Sequence, residues 1–120
     1  MSLRVLAVDD DSTTCDIRTA LEPKGFVVHT ADDGADAIDL LNDVSPDVIF
    51  AGINLPRMDG IGFIDAVRKS RGHGKTPILV MMTGTEPELK LRAREAGATG
   101  WIAKPLEPAK LIQALHMVAG

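Results

Sequence analysis

The sequence predicts a single α/β domain, a parallel sheet built from five strand–helix repeats. Three observations carry this. Five short, continuously apolar runs punctuate the chain: Leu3 to Val8, Phe26 to Thr30, Val48 to Ala51, Ile78 to Met82 and Thr99 to Ala103. Runs of that kind suit strands covered on both faces, as in a parallel sheet. Between them lie stretches with helical spacing. The length of 120 residues fits one ordinary domain, so residues 1–120 are expected to form one unit.

The elements follow in order. Ile17, Ala20 and Leu21 mark the apolar face of a first helix, and Gly25 follows it as a C-terminal cap. Pro23, near the end of that helix, predicts a local irregularity. Phe63, Ile64 and Val67 mark a later helix. Thr85-Glu86-Pro87-Glu88 has the spacing of a capping box, with Thr85 as the cap and Glu88 reaching back. Gly97 closes the helix that follows. Pro108 opens the last one, whose face is Leu111, Ile112, Leu115 and Val118. Strands alternating with helices imply right-handed crossovers. Ser70 to Thr76 is the only long polar connection.

Composition narrows the function. Apolar residues make up 45% of the chain but aromatic ones 3%, so the core is aliphatic. A net charge of −4 argues against non-specific nucleic-acid binding, which needs a basic face. Cys15 is the single cysteine, so neither an internal disulfide nor a cysteine metal cluster can form. The start shows no apolar signal-peptide run, and no uncharged stretch approaches the ~20 residues of a membrane helix. A cytoplasmic protein without membrane contact is the expectation.

In open parallel sheets, ligands bind beyond the carboxyl ends of the strands. Asp9, Asp10 and Asp11 follow the first strand, Gly52, Ile53 and Asn54 the third, Thr83 and Gly84 the fourth, Lys104 and Pro105 the fifth. Adjacent carboxylates repel unless they are solvated, cap a helix or share a cation. One reading has Asp11 capping the first helix with its neighbours solvated. The other makes Asp9 and Asp10 a hard-cation site. A lysine ending an apolar strand is costly unless paired, so Lys104 is expected to find a partner at Asp9 or Asp10.

Together, Val8-Asp9-Asp10, Asn54-Leu55-Pro56-Arg57-Met58-Asp59-Gly60, Met82-Thr83 and Lys104-Pro105 resemble the response-regulator receiver domains, the CheY-like family. The resemblance covers essentially the whole chain. It implies a doubly wound five-stranded sheet of order 2-1-3-4-5 and a role in two-component phosphorelay signalling. It implies a weak Mg2+ site at Asp9, Asp10 and the backbone carbonyl of Asn54. Thr83 and Lys104 match the residues that bind phosphoryl oxygens, and Trp101 matches the switch aromatic. The implied partner is a sensor histidine kinase or a downstream signalling protein. It would dock on the face of the fourth helix, fifth strand and fifth helix, which includes Arg92, Arg94, Glu95, Trp101, Lys110 and His116.

One position departs from the family. The phosphoacceptor aspartate should stand four residues before Pro56, where this chain has Gly52. Neighbouring Ala51 and Ile53 are equally inert, so no shift by one residue restores it. The expectation is a non-enzymatic receiver that is phosphorylation-independent or inactive as a phosphoacceptor. The alternative is a haloacid-dehalogenase-like Mg-dependent phosphatase with Asp9 as nucleophile. That class usually needs a further acidic motif after the lysine, and only Glu107 follows Lys104. A flavodoxin-like flavin site is disfavoured because the three carboxylates would repel a phosphate.

Overall fold

A computed structural model describes residues 3–119 except 54, 56, 57, 71 and 85. Five strands, β1 (Arg4–Val8), β2 (Val27–Ala31), β3 (Val48–Gly52), β4 (Ile78–Met82) and β5 (Gly100–Ala103), alternate with five helices. These are α1 (Asp11–Leu21), α2 (Gly34–Val44), α3 (Gly60–Lys69), α4 (Pro87–Ala96) and α5 (Pro108–Ala119). All strand pairs are parallel, and the sheet order is β2-β1-β3-β4-β5. The order reverses between β1 and β3, which puts the ends of those two strands at the rim where such sheets bind ligands.

Strand residues alternate between two cores. Leu6, Val8, Ile49, Ala51, Val80 and Met82 face α2, α3 and α4, with Phe63, Ile64 and Leu41 filling that layer. Val5, Ala7, Phe50, Leu79, Met81 and Ile102 face α1 and α5, against Ile17, Leu21, Leu111 and Leu115. Only β3 and β4 are buried at every position. The uniform burial expected of all five strands fails in β2 and β5, because they are the sheet's edges and each has only one neighbour. Trp101 and Ala103 on β5 are exposed.

Local signals largely hold. Pro23 lies in a 3-10 turn, Glu22–Lys24, that closes α1, and Gly25 ends the turn at φ 94°. Gly97 ends α4 at φ 119°. The predicted cap of α4, Thr85, lies outside the described residues; the N-cap is Glu86, one residue later, without a side-chain hydrogen bond. Pro87 sets the helix start instead, since its fixed φ and missing N–H suit the first helical position.

Arg68, at the end of α3, joins three segments. Its Nε and Nη2 donate to the Gly97 carbonyl at 2.9 and 2.7 Å, and its Nη1 donates to the carbonyls of Thr76 and His73 at 2.6 and 3.2 Å. Burial pulls the guanidinium below its ordinary pKa, yet arginine stays cationic at any working pH.

Candidate functional site at the strand ends

The three consecutive carboxylates after β1 have three different environments. Asp9 is buried. Its Oδ1 accepts from the Asp10 backbone N–H at 2.8 Å. Its Oδ2 has no hydrogen-bond donor in line with it, but the Lys104 ammonium lies 2.7 Å away as an ionic contact. Asp10 is exposed and is the N-cap of α1, with Oδ1 accepting from the Thr13 amide at 2.8 Å. Asp11 is the first residue of the helix, so it is not the cap. The Thr13 amide, then the Thr13 side chain, and more weakly the Lys104 charge hold the Asp10 carboxyl below the ordinary carboxylate range.

Lys104 reaches this corner because β5 ends there. Its backbone N–H donates to the Met82 carbonyl at 2.9 Å, which fixes it beside the end of β4 and the exposed Thr83. With side-chain exposures of 7% for Asp9 and 23% for Lys104, the pair is largely shielded from water. Breaking a pair so placed is costlier than breaking a surface pair, because removing one partner leaves a charge with little solvent.

Gly52, at the end of β3, lies directly beneath this pair. A Cβ built on it would stand 2.6 Å from Asp9 Oδ2 and 2.8 Å from Asp9 Cγ. The Asp9 carboxylate therefore takes up the space that a side chain at position 52 would enter. The far side of the strand end is also tight. A Cβ on Gly60 would collide with the Gly52 carbonyl oxygen and with Ile53 Cα, so α3 can start this close only with glycine. The Gly60 amide donates to the Ile53 carbonyl at 2.9 Å, and Asp59 caps α3 through the Gly62 amide at 2.6 Å.

Of the residues singled out from sequence, Asp9, Gly52 and Lys104 meet, with Asp10 adjacent and Thr83 on the neighbouring strand end. Asn54 lies outside the described residues. Trp101 stands apart from the cluster: its ring is on the outer edge of β5, 42% exposed, with the Lys90 ammonium 4.8 Å above its centroid. His116 places its ring edge-on to Phe26, with centroids 6.4 Å apart. Sequence reading missed Lys90, Leu91 and Met117, which flank Trp101. The composition of α4 carried the signal, because a helix with so few apolar residues leaves most of its surface unpartnered.

Asp9 is committed to Lys104 and Asp10 to the α1 cap. Among the described residues, no group of three His, Cys, Asp or Glu side chains gathers as a metal site.

The fold and these strand-end residues are those of a signalling receiver. The family model of the response regulator receiver domain matches residues 5–116, and the chain belongs to that family. The chain is 38% identical to the chemotaxis response regulator CheY4 of Vibrio cholerae. The two structures superpose with a TM-score of 0.93 over 98% of this chain and 99% of that one. It is also 32% identical over 117 residues to the cell cycle transcriptional regulator CtrA of Caulobacter vibrioides, covering 97% of this chain and 50% of that protein. Against the regulatory protein AtoC of Escherichia coli it is 36% identical over 106 residues, covering 87% and 22%. The chain thus spans half or less of these two curated relatives. No helix among the described residues is long and apolar enough to cross a membrane.

Proposed function

We propose that this chain is a receiver module that does not accept a phosphoryl group at β3 and acts through protein contacts. Its partner is a sensor histidine kinase or a downstream signalling protein, met on the α4–β5–α5 face. The observation that supports this is the Asp9 carboxylate lying over Gly52 and paired with Lys104 at 2.7 Å. At position 52 there is no nucleophile. The lysine that would stabilise a phosphoryl oxygen already neutralises a carboxylate. On this reading Thr83, at the β4 end, has the role of the hydroxyl residue, and Trp101, on β5, that of the switch aromatic. The domain is read as one unit, 1–120, without catalytic turnover.

Mg2+ binding is weak on this reading. Asp9, Asp10 and the Asn54 carbonyl are the protein oxygens that remain for it, and Mg2+ gives up water reluctantly. Lys104 competes for Asp9. Incubation with acetyl phosphate and Mg2+ should leave the mass of the chain unchanged, whereas Gly52→Asp should gain one phosphoryl group. That variant requires Asp9 to swing off the strand end, so restored phosphorylation would also report release of the ion pair. An acid-labile phosphoryl adduct on the unmodified chain sinks the proposal. Hydrolysis of an aryl phosphate that Asp9→Asn abolishes would favour the phosphatase class, and no turnover is expected.

A further inference from the structure

β2 is an edge of the sheet: β1 lies on one side of it, and no strand among the described residues lies on the other. Edge strands expose unpaired amides and carbonyls, and proteins usually guard them with lysine, proline, a bulge or an inward-pointing charge. β2 reads Val-Val-His-Thr-Ala, without proline, lysine or acid. Its register with β1 runs through all five residues without a bulge. The Val27 N–H donates to the Leu3 carbonyl at 3.0 Å, and the Asp9 N–H to the Ala31 carbonyl at 3.2 Å. A parallel ladder ties alternate residues to one neighbour, so Val27, His29 and Ala31 bond towards β1. The N–H and C=O groups of Val28 and Thr30 point outward, one residue to either side of His29.

That spacing is self-complementary. When a second β2 approaches antiparallel across a two-fold axis at His29, Val28 of each copy stands opposite Thr30 of the other. Each such pair exchanges two hydrogen bonds. Val27, 43% exposed in the single chain, then stands opposite Ala31 of the second copy. Charge follows the same axis. The exposed Arg18 of α1 lies beside the edge, its Nη2 donating to Thr30 Oγ1 at 3.3 Å. The exposed Glu22, four residues on and still helical at φ −58° and ψ −42°, shares that face of the helix. A crossover helix runs against the strands it joins. Four helical residues span about 6 Å, as do two strand residues, so Arg18 sits level with Thr30 and Glu22 level with Val28. The two-fold therefore sets Arg18 of each copy against Glu22 of the other.

We propose that a second copy of this chain occupies the β2 edge, forming a two-fold dimer whose two five-stranded sheets join into one of ten strands. Pairing one edge with itself closes after two chains and leaves no further β2 edge to extend. Neither Gly52 nor the α4–β5–α5 face takes part. The contact is small, so the dimer is a weak one that forms with concentration. Its exposed ion pairs make it weaken as salt rises.

Sedimentation of the full chain over a range of concentrations tests the dimer, and backbone amide shifts on dilution should fall on β2 and α1. Arg18→Glu and Glu22→Arg should each weaken association by about tenfold, because every change counts twice across a two-fold. The double swap should restore it. Cysteine cross-linking reads the register, in a Cys15→Ser background that removes the exposed natural thiol. Facing Cα atoms in a non-hydrogen-bonded antiparallel pair stand about 4.5 Å apart, within disulfide reach. His29→Cys should therefore give a disulfide-linked dimer on mild oxidation. Thr30→Cys should not, because its counterpart is two residues out of register. No self-association up to about 1 mM, equal cross-linking at both positions, or no rescue by the swap would overturn the proposal. So would a dimer whose amide shifts fall on α4, β5 and α5.

Discussion

Adjacent aspartates at one strand end have opposite fates, and each fate can be measured. Asp9 is paired below the surface, so Lys104→Met should cost about 1–3 kcal/mol, read by chemical denaturation. Asp9→Asn should cost a similar amount, and the double variant should cost less than the two together, since the lost contact is shared. Fully additive costs would mean that the 2.7 Å contact contributes nothing in solution. Asp10 acts through the helix cap. Its folded pKa lies below that of the unfolded chain, so its contribution is present above the ordinary value of about 3.9 and is lost as pH falls through the lowered one. Asp10→Ala should cost about 0.5–2 kcal/mol at neutral pH and much less in acid. A cost that stays constant between pH 7 and pH 2 would count against this.

Sequence reading reached the cluster but not its internal order. Carboxylates at Asp9, Asp10 and Asp11 and a lysine at Lys104 were visible as a charged corner. Which aspartate capped α1 and which paired with lysine depended on side-chain direction, and composition carries none. Trp101 shows the same limit. Being three residues from Lys104 placed it on β5, yet the ring packs under Lys90 of another element. Trp101 fluorescence is therefore a poor reporter of metal at the strand ends, and calorimetry or amide shifts are the suitable measure. By either, Mg2+ at low millimolar concentration should produce little change. Gly52→Asp and Lys104→Ala should each strengthen binding, and no gain from either would overturn the competition.

Among elements, strand position is more legible than strand burial. All five apolar runs match their strands within a residue, but only β3 and β4 are buried throughout. Edge strand β5 read the same way in sequence and differs because coverage depends on neighbours that a local pattern cannot show. Helix α4 is weakly anchored: Ala93 is its one buried residue among those described, and its N-cap makes no side-chain bond. A real cap should stabilise it. Glu86→Asp should add about 0.5–1 kcal/mol, a rise in Tm of about 2–5 °C for a domain of this size. An unchanged Tm would mean that the first amides of α4 are already satisfied.

At the scale of the whole molecule, the sheet is shared by two cores, and neither stands without it. Phe63 is fully buried in one and Phe50 in the other. Truncation of either to alanine should cost about 3–5 kcal/mol, a large part of a stability of ~5–15 kcal/mol. Both variants should still unfold in one transition by circular dichroism and by fluorescence. Separate midpoints would show that the two layers melt independently.

The Arg68 guanidinium has a consequence for how the far end of this sheet breathes. Its four hydrogen bonds gather the loop before β4 and the turn before β5 onto the last turn of α3. Opening any one of these segments exposes the same cation and frees the same carbonyls, so they form one exchange unit instead of three. Protected amides from Ile78 and Thr99 onwards should trade hydrogen for deuterium with a common opening energy. Arg68→Lys, which offers one nitrogen in place of a planar fork, should split that energy into separate values for each segment.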